Sequence, residues 1–345
     1  MSSRLSNASP DSQTSARTTI ELSPLQKDEE GNIPLIRAIL AQDLGEVTKL
    51  LSHSSRDEQV TMTNESGMNA LMVAAESGHV AAVELLLAQH DISARQTTAV
   101  DAKGQNAMMH AAMYGHGEVV RLLLGHKPTA DAQTTATDED GYNALMWATA
   151  DDWEGVVSLL LAHEPTADAQ TSAINHIGRN ALIIAARGCS SISELLLAHG
   201  STADAQTTAI DIHGHSALMY AAGGRCKPLI ERLLAHQATA ERQLCPNTAG
   251  LSPLMVAVTR GYGDVVEQLL VAQRKQRPIA AFVEDWWSAL SKAAKTGKVT
   301  IVKVLMAYAP GNKQEVMQSE RGLSVLALAK ERNYEDVIAV LGKNE

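Results

Sequence analysis

Hydrophobic and polar residues follow one another along this chain in a pattern that returns every 36 or 37 residues. Each copy contains a phrase close to Gly-x-Asn-Ala-Leu-Met, then alanines, and then a Leu-rich run such as Leu85–Leu87. A fixed period of this size is typical of stacked repeats, in which each small unit buries its apolar face against its neighbours. The sequence therefore predicts an elongated array and not a globular enzyme core.

The pattern within one unit predicts two helices. Asn69 follows Gly67 by two residues and is a favourable N-cap, because its side chain can accept a hydrogen bond from the first helical turn. Apolar residues at helical spacing continue this helix up to Gly78, and a second apolar stripe begins after His79. A polar segment, of which Thr129–Ala136 is typical, leads to the next unit, and we expect it to be a loop.

Nine such units account for most of the chain. Residues 1–24 are rich in Ser and Thr and are predicted to form a flexible tail, and residues 25–345 are predicted to form the repeat array. Each unit has an anchor position at the tight turn before its first helix. These anchors are Gly31, Gly67, Gly104, Gly141, Gly178, Gly214, Gly250, Trp286 and Gly322.

The succession of turn, helix, Gly-His, helix and Leu-rich run resembles the ankyrin repeat over about residues 28–341. Asn-Ala-Leu-Met stands where that family usually has Thr-Pro-Leu-His, and this motif looks like that of ankyrin families in some parasitic protists. The period also exceeds the usual one of about 33 residues. The resemblance implies an all-α repeat fold, an ankyrin-type solenoid of about nine helix-turn-helix units with finger loops. We expect the added residues to lengthen the fingers.

Composition limits the classes of partner and the cellular compartment that we expect for this chain. The net charge of −10 disfavours a nucleic acid partner, which needs a basic face. Neither a signal peptide nor an apolar run long enough to cross a membrane is visible. Cys189 and Cys226 fall at nearly the same place in neighbouring units and are interpreted as small buried residues, with Cys245 left over. This pattern predicts a reducing compartment, the cytoplasm, with the nucleus not excluded.

Catalytic and metal-binding signatures are weak. Gly261-Tyr-Gly263 is interpreted as a break between helices and not as a phosphate loop, and no nucleophile–base pair is identifiable. We therefore expect neither catalysis nor a cofactor. A metal-responsive module is a further hypothesis, since His176, His213 and His215 lie near adjacent anchors. Other histidines recur at the ends of second helices, where an imidazole favours the helix C-terminus: His126, His163, His199 and His236.

The resemblance implies that partners bind a concave surface formed by the fingers and first helices. Exposed positions there vary while the frame stays constant, as expected of a recognition surface and equally of neutral drift. Aromatic residues beside charge are typical of interface anchors, although Trp147 could equally pack between repeats. The candidate partner-binding residues are Tyr142, Trp147, Arg179, His213, His215, Trp287 and Lys295.

These observations predict a non-catalytic scaffold or adaptor for protein–protein interaction. The chain is expected to be monomeric, with protein partners and no membrane association. The alternative is a regulatory ankyrin arm associated with a kinase or another enzyme encoded elsewhere.

Overall fold

The computed structural model describes residues 26–89 and 93–342, so the predicted tail at residues 1–24 lies outside the described residues. In the described part the secondary structure is helical. It comprises 25 α-helices, one short 3₁₀ turn at Gly200–Thr202 and a single isolated β-bridge between Ile210 and Ser216. The expected all-α repeat fold is confirmed.

The first helix of each unit forms the central layer of the array. In units two to six its residues are mostly buried, because alanines and Leu or Met side chains allow the first helices of consecutive units to pack closely, whereas the first helix of unit nine is largely exposed. The nine first helices are Pro34–Leu40, Ala70–Glu76, Ala107–Met113, Ala144–Ala150, Ala181–Gly188, Ala217–Gly224, Pro253–Arg260, Ile279–Lys295 and Glu320–Glu331.

The second helix of each unit is amphipathic. Val83 and Leu86, for example, are fully buried, whereas Glu84 between them is exposed. The nine second helices are Leu44–Leu51, Val80–Leu87, Gly117–Gly125, Glu154–Leu161, Ile192–Ala198, Lys227–Ala235, Gly263–Gln276, Val299–Ala307 and Glu335–Gly342.

A third short helix occupies the polar segment that the sequence predicted to be a loop. The residues added to the period therefore build an outer helix and do not lengthen the fingers, which corrects both expectations. Polar side chains of these helices are buried, as Gln133 and Thr134 show. The third helices are Arg56–Thr61, Ser93–Thr98, Ala130–Thr135, Glu164–Ser172, Ala203–Thr208, Gln237–Gln243 and Lys313–Gln318.

Hydrogen bonds link the third helices of successive units. The Oγ1 atoms of Thr134 and Thr166 lie 2.8 Å apart, and the pairs one and two units later have the same separation. The ring of His163 lies 2.8 Å from Asp131 of the preceding unit. Thus the recurring histidines lie at helix termini, as predicted, and His163 also connects neighbouring units.

The break between first and second helix has the same backbone conformation in every unit. It lies eleven residues after each anchor and has φ between +55° and +89°. This left-handed region favours glycine, and only four of the nine residues are glycines. The nine residues are Gln42, Gly78, Gly115, Asp152, Cys189, Arg225, Gly261, Gly297 and Asn333. Their regular recurrence supports the predicted count of nine units.

Units eight and nine depart from the common plan. Their anchors, Trp286 and Gly322, lie inside helices, and no finger turn precedes these helices. The helix Ile279–Lys295 extends through the place where a finger would stand. The predicted finger loops therefore exist in units one to seven, whose anchor glycines have positive φ.

Candidate functional site

Each of the seven fingers is held by one Asp or Asn side chain, three residues before the anchor glycine. In unit four, Oδ1 of Asp138 accepts the backbone N–H groups of Asp140 and Tyr142, at 3.0 and 2.8 Å. Such local hydrogen bonds stabilise tight turns without a strand partner. The seven turn residues are Asp28, Asn64, Asp101, Asp138, Asn175, Asp211 and Asn247.

Backbone hydrogen bonds join the neighbouring fingers of units two to six. The backbone N–H of Glu139 donates to the carbonyl of Lys103 at 3.0 Å, and that of His176 donates to Asp140 at 3.0 Å. The fingers and the exposed ends of the first helices therefore form one continuous surface, which we call the finger face.

The choice between Asp and Asn follows the residue nine positions later, on the first helix. In units three, four and six that residue is a hydrogen-bond donor, the turn residue is Asp, and its second oxygen lies within hydrogen-bond distance of the donor. In unit one Arg37 occupies the equivalent position, and the Asp28 side chain accepts only backbone N–H groups. Asp138 accepts the Trp147 indole N–H at 2.9 Å, and Asp211 accepts the Tyr220 hydroxyl at 2.6 Å. Asp101 lies 3.1 Å from Nε2 of His110.

Where the turn residue of units two, five and seven is Asn, the equivalent helix positions are apolar: Val73, Ile184 and Val256. A buried charge without a donor costs more than a neutral amide, and an amide is found there even though Nδ2 of Asn175 is buried without a hydrogen-bond partner. This column of turn residues was missed by the sequence reasoning, which considered the residues directly beside each anchor. The Asp or Asn recurring three residues earlier was the available signal.

Two finger residues extend this network to the next unit. Nε2 of Gln105 lies 3.4 Å from Oδ2 of Asp138. The Arg179 guanidinium donates to the Tyr220 hydroxyl at 3.0 Å and lies 3.5 Å from Oδ2 of Asp211. Both carboxylates are buried, so these ties between units are shielded from solvent.

The pKa values of Asp211 and Tyr220 reflect the hydrogen bonds between them and their neighbours. Burial of Asp211 raises the pKa of its carboxyl, but hydrogen bonds from Tyr220 and from the N–H groups of His215 and His213 lower that pKa below its ordinary value overall. Burial and the Asp211 carboxylate raise the pKa of Tyr220. Asp211 is thus held as a carboxylate beneath the finger of unit six.

The predicted residues of unit four lie together. The rings of Tyr142 and Trp147 are 4.8 Å apart, and both side chains are half-buried. Because the Trp147 N–H is already bonded to Asp138, this residue contributes to the frame as well as to the surface. Trp153 is more exposed, at 41% of its side chain, although its N–H donates to the Met113 carbonyl at 2.8 Å.

Units five and six bring together three further predicted residues around Asp211. Arg179 is half-buried, His213 is exposed, and His215 is half-buried with Nδ1 3.4 Å from Asp211. The rings of His213 and His215 are 5.9 Å apart. Among the residues that the structure describes, no group of three or more His, Cys, Asp or Glu side chains could hold a metal ion.

Unit eight places its two predicted residues differently. Trp287 is buried, with its ring 4.9 Å from that of Trp286, and Lys295 is exposed at the end of the first helix. Since this unit has no finger, both residues lie several units away from the Tyr142 and Arg179 groups. The seven predicted residues therefore do not form one site.

A groove on the finger face spans units two to four and encloses about 670 Å³. Aromatic side chains line it, and Tyr114 is 46% exposed. Burial and the nearby Glu76 and Asp151 carboxylates raise the pKa of Tyr114, which reflects the negative potential of this region. The acidic lining residues outnumber Lys103 and His110: Glu76, Asp101, Asp138, Glu139 and Asp140.

The cysteines also differ from expectation. Cys189 and Cys226 are joined by a disulfide that links unit five to unit six, and Cys189 is exposed, whereas Cys245 is free and exposed. The interpretation as a small buried residue is therefore wrong for Cys189, whereas Cys226 is buried as expected. The inference of a reducing compartment loses its basis in them.

No described helix is long and apolar enough to cross a membrane. The sequence matches the family model of ankyrin repeats, in three-copy form, over residues 16–98, 35–136, 130–209 and 201–281. None of the curated proteins matches the sequence.

The structure is similar to that of the ankyrin repeat domain of Bcl-3, described as a unique member of the IkappaB protein family. The sequence identity is 28% and the TM-score is 0.58, and the match covers 70% of this chain and all of that one. The family model matches well over half of the chain, and the periodic helices agree with it. The chain belongs to the ankyrin-repeat family.

Proposed function

We propose that this chain is a non-catalytic scaffold or adaptor that binds proteins through the finger face. Ankyrin repeats generally mediate protein–protein interaction. The observation that carries the proposal is the groove of units two to four, which is open and lined by aromatic and acidic side chains on a rigid frame. A frame already ordered before binding reduces the entropy lost on association.

The charge of this groove selects the kind of partner. Glu139 and Asp140 are exposed on the unit-four finger, and Glu76 is half-buried on the opposite wall. Opposite charge on a partner speeds encounter and favours the right register. We therefore propose that a segment bearing Arg or Lys side chains occupies the groove, with Tyr114 offering a ring face to a cation.

The candidate residues divide by exposure. Tyr142, Arg179 and His215 present half-buried side chains to a partner, and His213 and Lys295 present exposed ones. We propose that these five make direct contacts. The remaining two, Trp147 and Trp287, support the surface from below.

A matched pair of variants tests the proposal. The first reverses two groove charges by Glu139→Lys and Asp140→Lys, and the control reverses two exposed charges on second helices by Glu84→Lys and Glu194→Lys. Both change the net charge equally. Proteins captured from native lysate by crosslinking are identified by quantitative mass spectrometry for each variant.

We expect a partner that is enriched by the wild type and the control but lost with the groove variant. A partner lost with the second-helix variant and retained by the groove variant would contradict the assignment. Direct binding of the purified partner then gives Kd values. An opposite-charge rescue, in which Asp or Glu replaces basic residues of the partner, checks charge complementarity.

A further inference from the structure

We propose that Cys189 and Cys226 form a redox-controlled clip between units five and six, opened and closed by low-molecular-weight thiols and disulfides. The two residues are 37 positions apart, and their Cα atoms are 5.4 Å apart. This proximity follows from the repeat register. Cys189 is the left-handed residue eleven positions after its anchor, and Cys226 lies twelve positions after the next anchor.

The same two positions meet at other unit boundaries through weaker contacts. Trp153 covers the left-handed Gly115, so closely that a Cβ added there would lie 2.4 Å from the indole ring. One boundary earlier the His116 ring covers the left-handed Gly78 in the same way, and between units seven and eight the Lys298 side chain lies beside the left-handed Gly261. Only between units five and six is the contact covalent among the described residues.

The clip joins the outer sides of two units whose first helices already pack closely. The second helices of units five and six, Ile192–Ala198 and Lys227–Ala235, approach each other less closely than those of the four preceding pairs, and the second helices of units six and seven are similarly separated. Cys226 occupies the N-cap position of the second of these helices. The clip therefore fastens the two units at the point where their second helices begin.

The surroundings suit thiol–disulfide exchange. Cys189 is exposed, so an incoming thiolate can reach its sulfur. Cys226 lies at a helix N-terminus between Arg225 and Lys227, which favours a thiolate leaving group. Both cations contact Asp264 of unit seven, at 3.1 and 3.6 Å, and this partly offsets their positive charge.

Reduced glutathione opens the clip by two successive thiol–disulfide exchanges. A glutathione thiolate attacks Sγ of Cys189, a new sulfur–sulfur bond forms, and the Cys189–Cys226 bond breaks with Cys226 leaving as a thiolate. A second glutathione thiolate then attacks the mixed disulfide and releases the Cys189 thiolate. Two glutathione molecules are thereby oxidised to one disulfide, and the protein gains two electrons. The reverse reaction, with oxidised glutathione, closes the clip.

The clip lies beside the finger face. Arg187, two residues before Cys189, has its guanidinium 5.8 Å from the centroid of the Tyr220 ring in unit six, and Arg179 lies 5.5 Å from the same ring. Opening the clip would loosen the boundary that these contacts span. Its effect on binding rests on the proposed function, whereas the clip itself is tested without a partner.

The test uses the full chain in glutathione buffers of defined ratio. Thiols are labelled by alkylation and counted by intact mass, and hydrogen–deuterium exchange is measured on the peptides around Cys189 and Cys226. The double variant Cys189→Ser/Cys226→Ser mimics the open clip. Serine is compatible with the position of Cys226, since Ser190 occupies the equivalent position in unit five. Cys245→Ser is the control, because that thiol is free and exposed.

With oxidised glutathione we expect no label on Cys189 or Cys226, and Cys245 carries either one label or one glutathione in mixed disulfide, which intact mass distinguishes. With excess dithiothreitol we expect three labels. Reduction should accelerate exchange at the two helix breaks by about tenfold or more, given the usual effect of a disulfide on opening. The Cys245→Ser variant should respond like the wild type. The double serine variant should exchange fast under both conditions.

Three results would overturn the clip. One is three labels in fully oxidised buffer, and another is hydrogen exchange of the wild type that is unchanged by reduction. The third is hydrogen exchange of the double serine variant that accelerates on reduction as much as that of the wild type. If the clip responds as expected but partner affinity does not change with reduction, the clip stands and its link to recognition fails. If no partner binds the finger face at all, only the proposed function fails.

Discussion

The Asn N-cap of each early unit performs two tasks, and substitutions at Asn106 separate them. Its Oδ1 accepts the Met109 N–H at 2.9 Å, and its Nδ2 donates to the Gln133 carbonyl of the third helix at 3.0 Å. The side chain is buried, so water cannot replace either bond. Asn106→Ala removes both bonds, whereas Asn106→Ser removes only the second, because Ser216 caps the equivalent helix in unit six.

The expected magnitudes follow from these contacts. Loss of an N-cap costs about 1 kcal/mol of unfolding free energy. A buried carbonyl left without its donor costs about 1–3 kcal/mol. We therefore expect Asn106→Ala to destabilise the array by about 2–4 kcal/mol and Asn106→Ser by about 1 kcal/mol less than that.

Urea unfolding followed by far-ultraviolet circular dichroism measures the free energies, and hydrogen exchange at the Met109 amide localises the change. The amide should exchange faster in the alanine variant than in the serine variant. Equal destabilisation by the two substitutions would refute the separate role of the cap. Destabilisation of the alanine variant by less than about 1 kcal/mol would refute the dual role altogether.

Two further kinds of substitution test the buried carboxylates and the left-handed positions. Burial raises the pKa of Asp285, so the folded state binds more protons than the unfolded state. Relative to Asp285→Asn, the wild type should therefore lose stability as the pH rises from about 4 through the raised pKa. Urea titrations at several pH values measure this difference. The pKa of Asp211 is lowered overall, so relative to Asp211→Asn the wild type should lose stability as the pH falls below about 4, and parallel pH profiles would contradict this. Gly250→Ala places a Cβ in open space and should lower the free energy of unfolding by about 1 kcal/mol through backbone conformation alone. Gly115 has the same φ of +74°, but a Cβ there also meets the Trp153 ring. Gly115→Ala should therefore lower the free energy of unfolding clearly more, as measured by urea unfolding.

The frame of this fold was predictable because its causes are local. The Asn and Ser N-caps, the left-handed breaks and the apolar stripes all act within one unit, and the period repeats them. Met72, Met109 and Met146 recur at one place in their units and are fully buried. A non-polar, flexible side chain at a constant place in each unit needs no knowledge of its neighbours to be assigned to the core.

The third helices could not be predicted in the same way. A segment such as Ala130–Thr135 is short and polar, with weak intrinsic preference for a helix. Its stability comes from contacts with other segments, for example Gln133 accepting Asn106 and Thr134 pairing with Thr166 of the next unit. Such contacts depend on the stacking distance, which the sequence of one unit does not contain.

The candidate site was predictable in part for a similar reason. The finger positions of Tyr142 and His213 followed from the register. The turn residues beneath them did not, because the role of Asp138 depends on Trp147 nine positions later and on Gln105 in the preceding unit. The proximity of Cys189 and Cys226 likewise requires the offset of one position between neighbouring units.

The division of the turn residues into Asp and Asn gives the finger face an uneven stiffness. In units three, four and six the finger is fastened to its own helix through a carboxylate, and in units two, five and seven no such fastening exists. Units three and four are adjacent and carry most of the groove. A ligand that docks there would meet a preorganised surface, whereas one that docks on unit two or unit seven would have to order the finger as it binds.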